Sequence, residues 1–452
     1  MTRLANSQGA VLTSRASRPK ARDILDRSDM GQAMTEAAAA APQPRWTLNY
    51  PRLLNALFWI TAFSGSVVFI EPSPYDGLIL LTLIVWVLGG VRVHRAVLPG
   101  VALLVLWALG GYISLIPYWN EPDPVEFMTH TLFISTTGVF YMLFFSENTS
   151  KRFDLCMSGY AASCMLAAVI AVGSWAGLFG NPLTMTLDGR AMAPFKDPNV
   201  LGSYMVPGVL YFVQRLLLGR WAYWPVTLAG LALSGAALFT SFSRGSWGAA
   251  VVSIALMTIM SVMTADSRKM RMRIGFMALA VVGVVVVGVG AALTEPSVRE
   301  FFFKRASATQ DYDEGPTGRF GNQKRSLPML VERPNGMGPL RFRLIFGLEP
   351  HNSYINAFAS NGWLGGFAFL GLVLTTTFVG FRLSLTRSPY LRHGQLIWSA
   401  MFVFFLQALQ IDIDHWRYFF IYLGAVWGLE VGRVKWAEQE RRESVIRSNR
   451  IG

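Results

Sequence analysis

Residues 273–293 read RIGFMALAVVGVVVVGVGAAL, and no charged side chain follows the first arginine. An α-helix rises about 1.5 Å per residue, so a run of roughly 20 apolar residues spans the ~30 Å hydrocarbon core of a bilayer. Similar runs recur along the chain on both sides of this one. The sequence therefore predicts a helical membrane protein.

Twelve apolar runs predict about twelve transmembrane helices, so the expected fold is an all-α polytopic membrane protein. The chain of 452 residues is 52% hydrophobic and 15% charged, whereas soluble domains carry roughly 25% charged residues. This composition argues against a solvated globular fold. The runs lie at about 53–70, 77–94, 97–117, 127–146, 155–179, 199–218, 222–240, 245–264, 273–293, 353–380, 395–411 and 415–432.

The distribution of cations predicts orientation. With the N-terminus inside, 27 of the 40 Lys and Arg residues fall in cytoplasmic segments, and 9 of the other 13 lie in one long outer loop. Cytoplasmic loops of membrane proteins carry an excess of Lys and Arg, so both termini are predicted to be cytoplasmic. The net charge of +13 is then a topological signal, and we expect no nucleic-acid partner.

The predicted spans divide the chain into five segments. Residues 1–50 have few large apolar side chains, which predicts a disordered cytoplasmic tail. Residues 51–293 hold spans one to nine, 294–351 form the long periplasmic loop, 352–432 hold spans ten to twelve, and 433–452 form a basic cytoplasmic tail.

The long loop is predicted to contain short helices. One begins at Pro296 and runs through Arg305, and Thr317 is the expected cap of a second that runs to Val331. The Pro-Asn-Gly-Met-Gly sequence of residues 334–338 predicts a flexible return to the membrane.

The two cysteines, Cys156 and Cys164, lie eight positions apart in one predicted helix. That spacing corresponds to about 12 Å along the helix, which is too far for a disulfide. We expect both to be packing residues.

Polar residues collect at the outer ends of the predicted spans. In the first cluster Asp197 precedes Pro198, a pair that typically caps a helix. Arg190, Lys196 and Asn199 lie beside that helix start, a favourable place for an anion such as a phosphate. A plain helix cap is the alternative interpretation.

Three further clusters follow along the chain. Arg244 stands between small residues at the start of a span, where it either binds an anion or extends to the membrane interface. His351, Asn352 and Tyr354 mark the junction of the long loop with the next span, where histidine is suited to carry a proton or simply precedes a capped helix. The patch Asp412-Ile413-Asp414-His415-Trp416-Arg417 opens the last helix. Asp414 and Arg417 are candidate ligands there, and the alternative is that Asp412 and Asp414 are cap and interface residues.

Several other chemistries have no support in the sequence. It contains no HExxH, no CxxC pair, no phosphate-binding GxxxxGK[ST] and no GxSxG nucleophile elbow. No cluster has metal-ligand spacing. We therefore expect neither a metal nor a cofactor.

Taken together in their order, these motifs resemble the O-antigen ligase and polysaccharide polymerase family of bacterial inner-membrane proteins. The resemblance runs from about residue 70 to 430. Its pieces are Pro72-Ser73-Pro74-Tyr75, the stretch Phe195 to Gly202, Ser243-Arg244-Gly245, Gly318-Arg319, Glu332-Arg333-Pro334 with Gly336 and Gly338, His351-Asn352-Ser353-Tyr354, Asn361-Gly362-Trp363-Leu364-Gly365 and Asp414-His415-Trp416-Arg417.

The resemblance implies a metal-independent glycosyltransferase at the periplasmic face of the inner membrane. Its donor would be a glycan on undecaprenyl pyrophosphate, and its acceptor a sugar hydroxyl of the lipid A core. The family's essential histidine corresponds to His351, and its essential arginines correspond to Arg244 and Arg319, with Arg190 a further candidate. Phe320 and Gln323 stand where the family often has a tryptophan.

Two alternatives remain open from the sequence. A polysaccharide polymerase would use the same donor with a growing glycan as acceptor. A transporter of lipid-linked sugars would also have many helices and interior charges, although transporters tend to place ionisable groups near the midplane and to show repeat symmetry.

Overall fold

A computed structural model describes residues 49–178, 183–219, 221–306 and 315–451. Every described residue except Asn49 belongs to one compact unit that begins at Tyr50. The predicted N-terminal tail lies outside the described residues as far as residue 48, and so do residues 307–314 of the long loop. The α-helices of the described ranges are α1 Tyr50–Phe63, α2 Pro74–Leu88, α3 Leu98–Leu115, α4 Pro122–Phe145, α5 Thr149–Trp175, α6 Pro198–Leu218, α7 Trp224–Thr240, α8 Arg244–Met263, α9 Arg268–Ala292, α10 Pro296–Ala306, α11 Arg319–Val331, α12 Arg341–Phe346, α13 Ser353–Leu385, α14 Leu391–Gln407 and α15 Arg417–Ile451.

Each predicted span overlaps one of these helices, namely α1 to α9 and α13 to α15, although several ends differ and α15 continues to Ile451, beyond the predicted end at residue 432. In the described ranges the structure contains no β-strand beyond a single bridge between Met185 and Ala191, so the all-helical class is confirmed. The count of twelve spans remains a prediction, because seven helical segments within the described ranges are long and apolar enough to cross a membrane. They are Arg95–Tyr118, Pro122–Phe145, Thr149–Trp175, Pro198–Leu218, Arg244–Met263, Arg268–Ala292 and Ser353–Leu385.

The long loop contains three short helices in its described part. α10 begins at Pro296 as predicted. The predicted cap of the next helix is wrong: α11 is preceded by Gly318, whose extended backbone starts the helix without a side-chain cap. Helix α12 was not predicted; it is six residues long and follows Leu340, whose backbone is in the left-handed conformation.

Helix α13 is broken at Gly362. This residue has φ 64° and ψ −169°, a conformation that is essentially restricted to glycine. The loop at residues 334–338 fills the break: Trp363 N–H donates to the Pro334 carbonyl at 2.7 Å, and Met337 N–H donates to the Ala359 carbonyl at 2.7 Å. The polar loop therefore satisfies the backbone groups that the break exposes.

The first segment of α13, residues 353–361, and the rest of the helix lie among the other long helices. α13 packs most extensively against α3, α15 against α4, and α6 against α7. Asn361 ties α13 to α3 by donating from Nδ2 to the Trp107 carbonyl at 3.0 Å. Cys156 and Cys164 are buried free thiols, which confirms that they are packing residues.

Ion pairs between helix connections fall into two groups, one at each end of the long helices. The pairs of one group link connections that the cation count assigns to the outer side, and we call this end the site face. The other joins connections assigned to the inner side, called here the opposite face. Pairs of the site face are Arg417–Asp76, Lys196–Glu71, Arg341–Glu121 and Arg305–Asp188, and pairs of the opposite face are Arg92–Glu147, Arg95–Glu438, His393–Asp154 and Arg387–Asp266.

Candidate active site

The residues between α14 and α15 form the centre of the site face. This α14–α15 connection, residues 408–416, receives hydrogen bonds from the start of α13. Ser353 N–H donates to the Ala408 carbonyl at 2.8 Å, and Asn352 Nδ2 donates to the Leu409 carbonyl at 3.2 Å. Asn352 Oδ1 in turn accepts from the backbone amides of Tyr354 and Ile355, so it caps the helix.

His351 is fixed against this connection by Asp412. The backbone amides of His351 and Asn352 donate to the two Asp412 carboxylate oxygens at 3.1 and 2.9 Å. The His351 Nδ1 atom lies 3.8 Å from Asp412 Oδ2, and 46% of the histidine side chain is exposed. This geometry turns one face of the imidazole toward a carboxylate and leaves the side chain accessible to a substrate.

The backbone of His351 is strained. Its φ of 46° lies in the left-handed region, which costs a residue with a Cβ roughly 1–2 kcal/mol. Such strain persists only where the surroundings enforce it, and here the Asp412 carboxylate holds the amides of His351 and Asn352. The contact therefore fixes the loop-to-helix turn that presents the imidazole.

Asp412 occupies an unusual environment for a carboxylate. Burial and the neighbouring carboxylate of Asp414 raise the pKa of Asp412 well above its ordinary value, although the two backbone amides act in the other direction. The Asp412 side chain thus takes up a proton at a higher pH than a solvated aspartate does.

Asp414 is the buried partner in the same connection. It is 3% exposed, and its Oδ2 accepts from Asn356 Nδ2 at 2.9 Å. Ser353 Oγ lies 3.4 Å from Asp414 Oδ1, and His415 Nδ1 lies 3.4 Å from Oδ2. The carboxylate of Asp414 therefore joins α13 to the beginning of α15 from within the protein.

Arg319 approaches the same connection from the long loop. It is the first residue of α11, and its Nη1 donates to the Gln410 carbonyl at 3.1 Å. One turn further along, Gln323 Nε2 donates to the Pro350 carbonyl at 2.8 Å. Helix α11 therefore lies beside both the α14–α15 connection and the residue that precedes His351.

Arg190 and Arg244 lie in two neighbouring segments, the connection before α6 and the start of α8. Arg190 Nε donates to the Ser241 carbonyl, and its Nη2 donates to Asn199 Oδ1, both at 2.9 Å. Arg244 is the first residue of α8. The next residue, Gly245, faces the side chains of Gln407 and Gln410, so the start of α8 adjoins the α14–α15 connection too.

Asp197, Lys196, Tyr354 and Arg417 each have a partner within the protein. Asp197 Oδ1 accepts from the Asn199 amide at 2.6 Å, which is the predicted helix cap. Lys196 pairs with Glu71 at 2.9 Å. Tyr354 Oη donates to the Phe405 carbonyl at 2.8 Å, and Arg417 donates through Nε and Nη2 to Asp76 at 2.7 and 2.8 Å.

The structure therefore brings Arg319, His351 and Asn352 directly onto the α14–α15 connection and places the start of α8 next to it. Arg417 and Lys196 are instead engaged with Asp76 and Glu71 on the same face. Gln410 was not selected by sequence reasoning, and Asp412 was interpreted only as a cap or interface residue of the last helix. The Asp-Ile-Asp stretch that follows a span does not show which carboxylate meets His351.

Part of the chain that contributes to the candidate site is similar to a known protein family. Residues 228–370 match the O-antigen ligase family. The matched stretch covers less than half of the chain, from α7 into α13, and contains Arg244, Arg319 and His351. No curated protein matches the chain. The resemblance stated from the motifs is thereby confirmed.

The O-antigen ligase match and the apolar helices together indicate a multi-pass membrane protein of polysaccharide biosynthesis with ligase- or polymerase-type activity. A family of this kind implies a lipid-linked glycan donor and a glycan acceptor. Arg190, Asp412 and Arg417 lie outside the matched residues, so any role for them depends on the geometry.

Proposed function

We propose that the protein is an O-antigen ligase-like glycosyltransferase that works without a metal. It would transfer a glycan from undecaprenyl pyrophosphate to a sugar hydroxyl of the lipid A core at the periplasmic face of the inner membrane. The observation that carries the proposal is the convergence of Arg319, His351 and the start of α8 on the α14–α15 connection.

In the proposed reaction the acceptor hydroxyl attacks the anomeric carbon of the donor. The bond between that carbon and the phosphate oxygen breaks, and undecaprenyl pyrophosphate leaves with both electrons of that bond. His351 accepts the hydroxyl proton, a contribution of typically 10²–10⁴-fold. Because Nδ1 faces Asp412 at 3.8 Å, Nε2 is the nitrogen that takes the proton, and the nearby carboxylate stabilises the imidazolium.

The arginines would act on the leaving group. Charge builds on the pyrophosphate as the glycosidic bond breaks, and guanidinium groups stabilise phosphate oxygens through short, paired hydrogen bonds. Arg244 and Arg319 are the principal candidates and Arg190 a further one. Arg190 and Arg319 are held in position by carbonyl oxygens, of Ser241 and Gln410 respectively. Lys196, Asp197, Asn199, Asn352, Tyr354, Asp414 and Arg417 are proposed to shape the substrate site around them.

A reconstituted assay tests this proposal. Purified protein in nanodiscs receives a glycan on undecaprenyl pyrophosphate and lipid A core, with a chelator present, and products are identified by mass spectrometry. We expect the glycan to appear on the core. Loss of activity on chelation contradicts metal independence, and elongation of the donor glycan without core identifies the polymerase alternative.

The proposed location has its own test. Reporter fusions after residue 320 should report the periplasm and fusions after residue 440 the cytoplasm, because the cations of short loops favour that orientation. The reverse pattern would put the candidate site on the cytoplasmic side and exclude a periplasmic reaction.

A further inference from the structure

A cavity with charged and apolar lining residues lies on the opposite face. It has a volume of about 300 Å³ and is lined by parts of α5, α6, α7 and the beginning of α14. Along α6, Asn199 of the candidate active site and Arg215 of this cavity are sixteen residues apart, which corresponds to roughly 24 Å of helix. The cavity is therefore separate from the site proposed for glycan transfer.

Two arginines line the cavity. The Arg215 guanidinium lies 4.8 Å from the centre of the Tyr211 ring, and Arg392 is placed at its edge by a hydrogen bond from Gln214 Nε2 to the Arg392 carbonyl at 2.7 Å. Among the residues that the structure describes, neither guanidinium has a carboxylate within 4.0 Å. Among the described residues, the charged groups of the lining are therefore two arginines and the carboxylate of Asp154.

The acidic group of the lining is already engaged. Asp154 Oδ1 lies 3.1 Å from His393 Nε2, and the His393 ring packs against Phe153 with ring centres 4.9 Å apart. The His393 Nδ1 atom is buried and has no hydrogen-bond partner in the described part of the chain. The cavity therefore combines cations at its mouth with an aromatic wall and an unused polar nitrogen.

We propose that this cavity binds the phosphate of an anionic phospholipid headgroup. Arginine forks grip phosphate oxygens in pairs, and basic pockets between helix ends recognise anionic lipids. Tyr211, Phe153 and the aliphatic residues around them suit the glycerol and upper acyl carbons. A free phosphate has the same anionic chemistry but gains nothing from these apolar walls, so the lipid is the occupant we infer. This proposal does not depend on the glycosyltransferase activity.

Native mass spectrometry of the delipidated full chain tests the proposal. Phosphatidylglycerol is titrated against wild type, against the Arg215→Gln/Arg392→Gln double variant, and against Arg268→Gln/Arg271→Gln. The last pair removes the same charge from exposed positions of α9, outside the cavity. We expect affinity about tenfold weaker in the cavity variant and within about twofold of wild type in the α9 variant, because paired guanidinium contacts are lost only in the first.

Two further measurements separate the remaining outcomes. A phosphatidylglycerol with a photoreactive headgroup should label peptides of residues 211–219 and 392–396 in wild-type protein, which needs no variant to fold. Inorganic phosphate should compete only weakly. Equal lipid binding by the two double variants, labelling elsewhere, or phosphate that displaces the lipid at equal concentration would overturn the proposal.

Discussion

Helices α9 and α13 satisfy the same hydropathy criterion for a membrane span, yet they differ in almost every other respect. α9 is continuous, and Ile274, Met277 and Val281 are its only buried residues. α13 is broken at Gly362 and buries Ser353, Asn356 and Asn361 among other residues. Apolar composition therefore suits both helices to the membrane, whereas buried polar groups and a backbone break distinguish the helix that contributes to the candidate site.

The largest expected effect is at the start of α13. His351→Ala should lower glycan transfer by about 10²–10⁴-fold, because the proposed proton acceptor is removed, while membrane insertion stays normal. Transfer by the variant is compared with wild type at equal membrane abundance. His130→Ala, at an exposed position of α4, serves as control and should retain full activity; equal activity of the His351 variant would reduce this residue to a neighbour of the helix cap.

The same charge-conserving substitution should have different effects on transfer in α8 and in α9. Arg244→Lys should lower transfer by roughly 10–100-fold, because lysine keeps the charge but lacks the planar fork that binds two phosphate oxygens. Arg271→Lys, in the first turn of α9, should leave it unchanged. Arg319→Lys and then Arg190→Lys are expected to have smaller effects. Full activity of Arg244→Lys would mean that a diffuse positive field is sufficient at this position.

The glycines of the two helices offer a matched test of stability. A Cβ at Gly362 would lie 2.6 Å from the Pro334 carbonyl oxygen in a backbone region that alanine avoids, whereas a Cβ at Gly283 of α9 would meet nothing within 4 Å. Gly362→Ala should destabilise the protein by about 1–3 kcal/mol or more, with a lower melting temperature in detergent. Gly283→Ala should be neutral or stabilising by up to about 1 kcal/mol; equal melting temperatures would show that the break is dispensable.

The smallest expected effect is the pH dependence of transfer that arises from protonation of Asp412 in the α14–α15 connection. The raised pKa of Asp412 means that on acidification its carboxylate becomes neutral at a higher pH than an ordinary aspartate, near 3.9. Wild-type transfer should therefore fall as pH drops through that raised pKa, because the negative charge beside His351 is lost.

Asp412→Asn isolates this contribution. At pH values where the Asp412 carboxylate of wild type is ionised, the variant should be about tenfold slower, since loss of roughly 1.4 kcal/mol of charge stabilisation is one decade in rate, and its pH profile should lack the acid step assigned to Asp412. An acid step at the same pH in variant and wild type would assign that titration to another group.

The sequence alone was sufficient to locate the twelve long helices and the start of α10, although not α12 or the start of α11. Apolar runs predicted each of the twelve long segments, and α10 began at the predicted Pro296. Arg244 and His351 were selected from residue type and position at span ends, and Arg319 from the resemblance to the family; all three fall within the stretch that matches the O-antigen ligase family. Orientation and the roles of these residues remain predictions.

Local sequence patterns predicted the helix starts of the long loop and the ion-pair partners of charged residues less well than they predicted the long helices. Thr317 has the side chain of a helix cap, yet the helix begins after Gly318, because a cap is selected by backbone geometry that neighbouring segments impose. Arg417 was grouped with the ligands, but Asp76, far away in sequence, holds it through two hydrogen bonds.

The all-helical membrane class and the polar span ends could be predicted from the chain, because hydropathy and helix capping act over a few turns of one segment. The break of α13 where residues 334–338 enter, and the contact of His351 with Asp412 rather than with the nearby buried Asp414, depend on tertiary packing. These contacts join residues that are distant in sequence, in the second case by about sixty positions. Their energy depends on burial and geometry that exist only after the helices have packed.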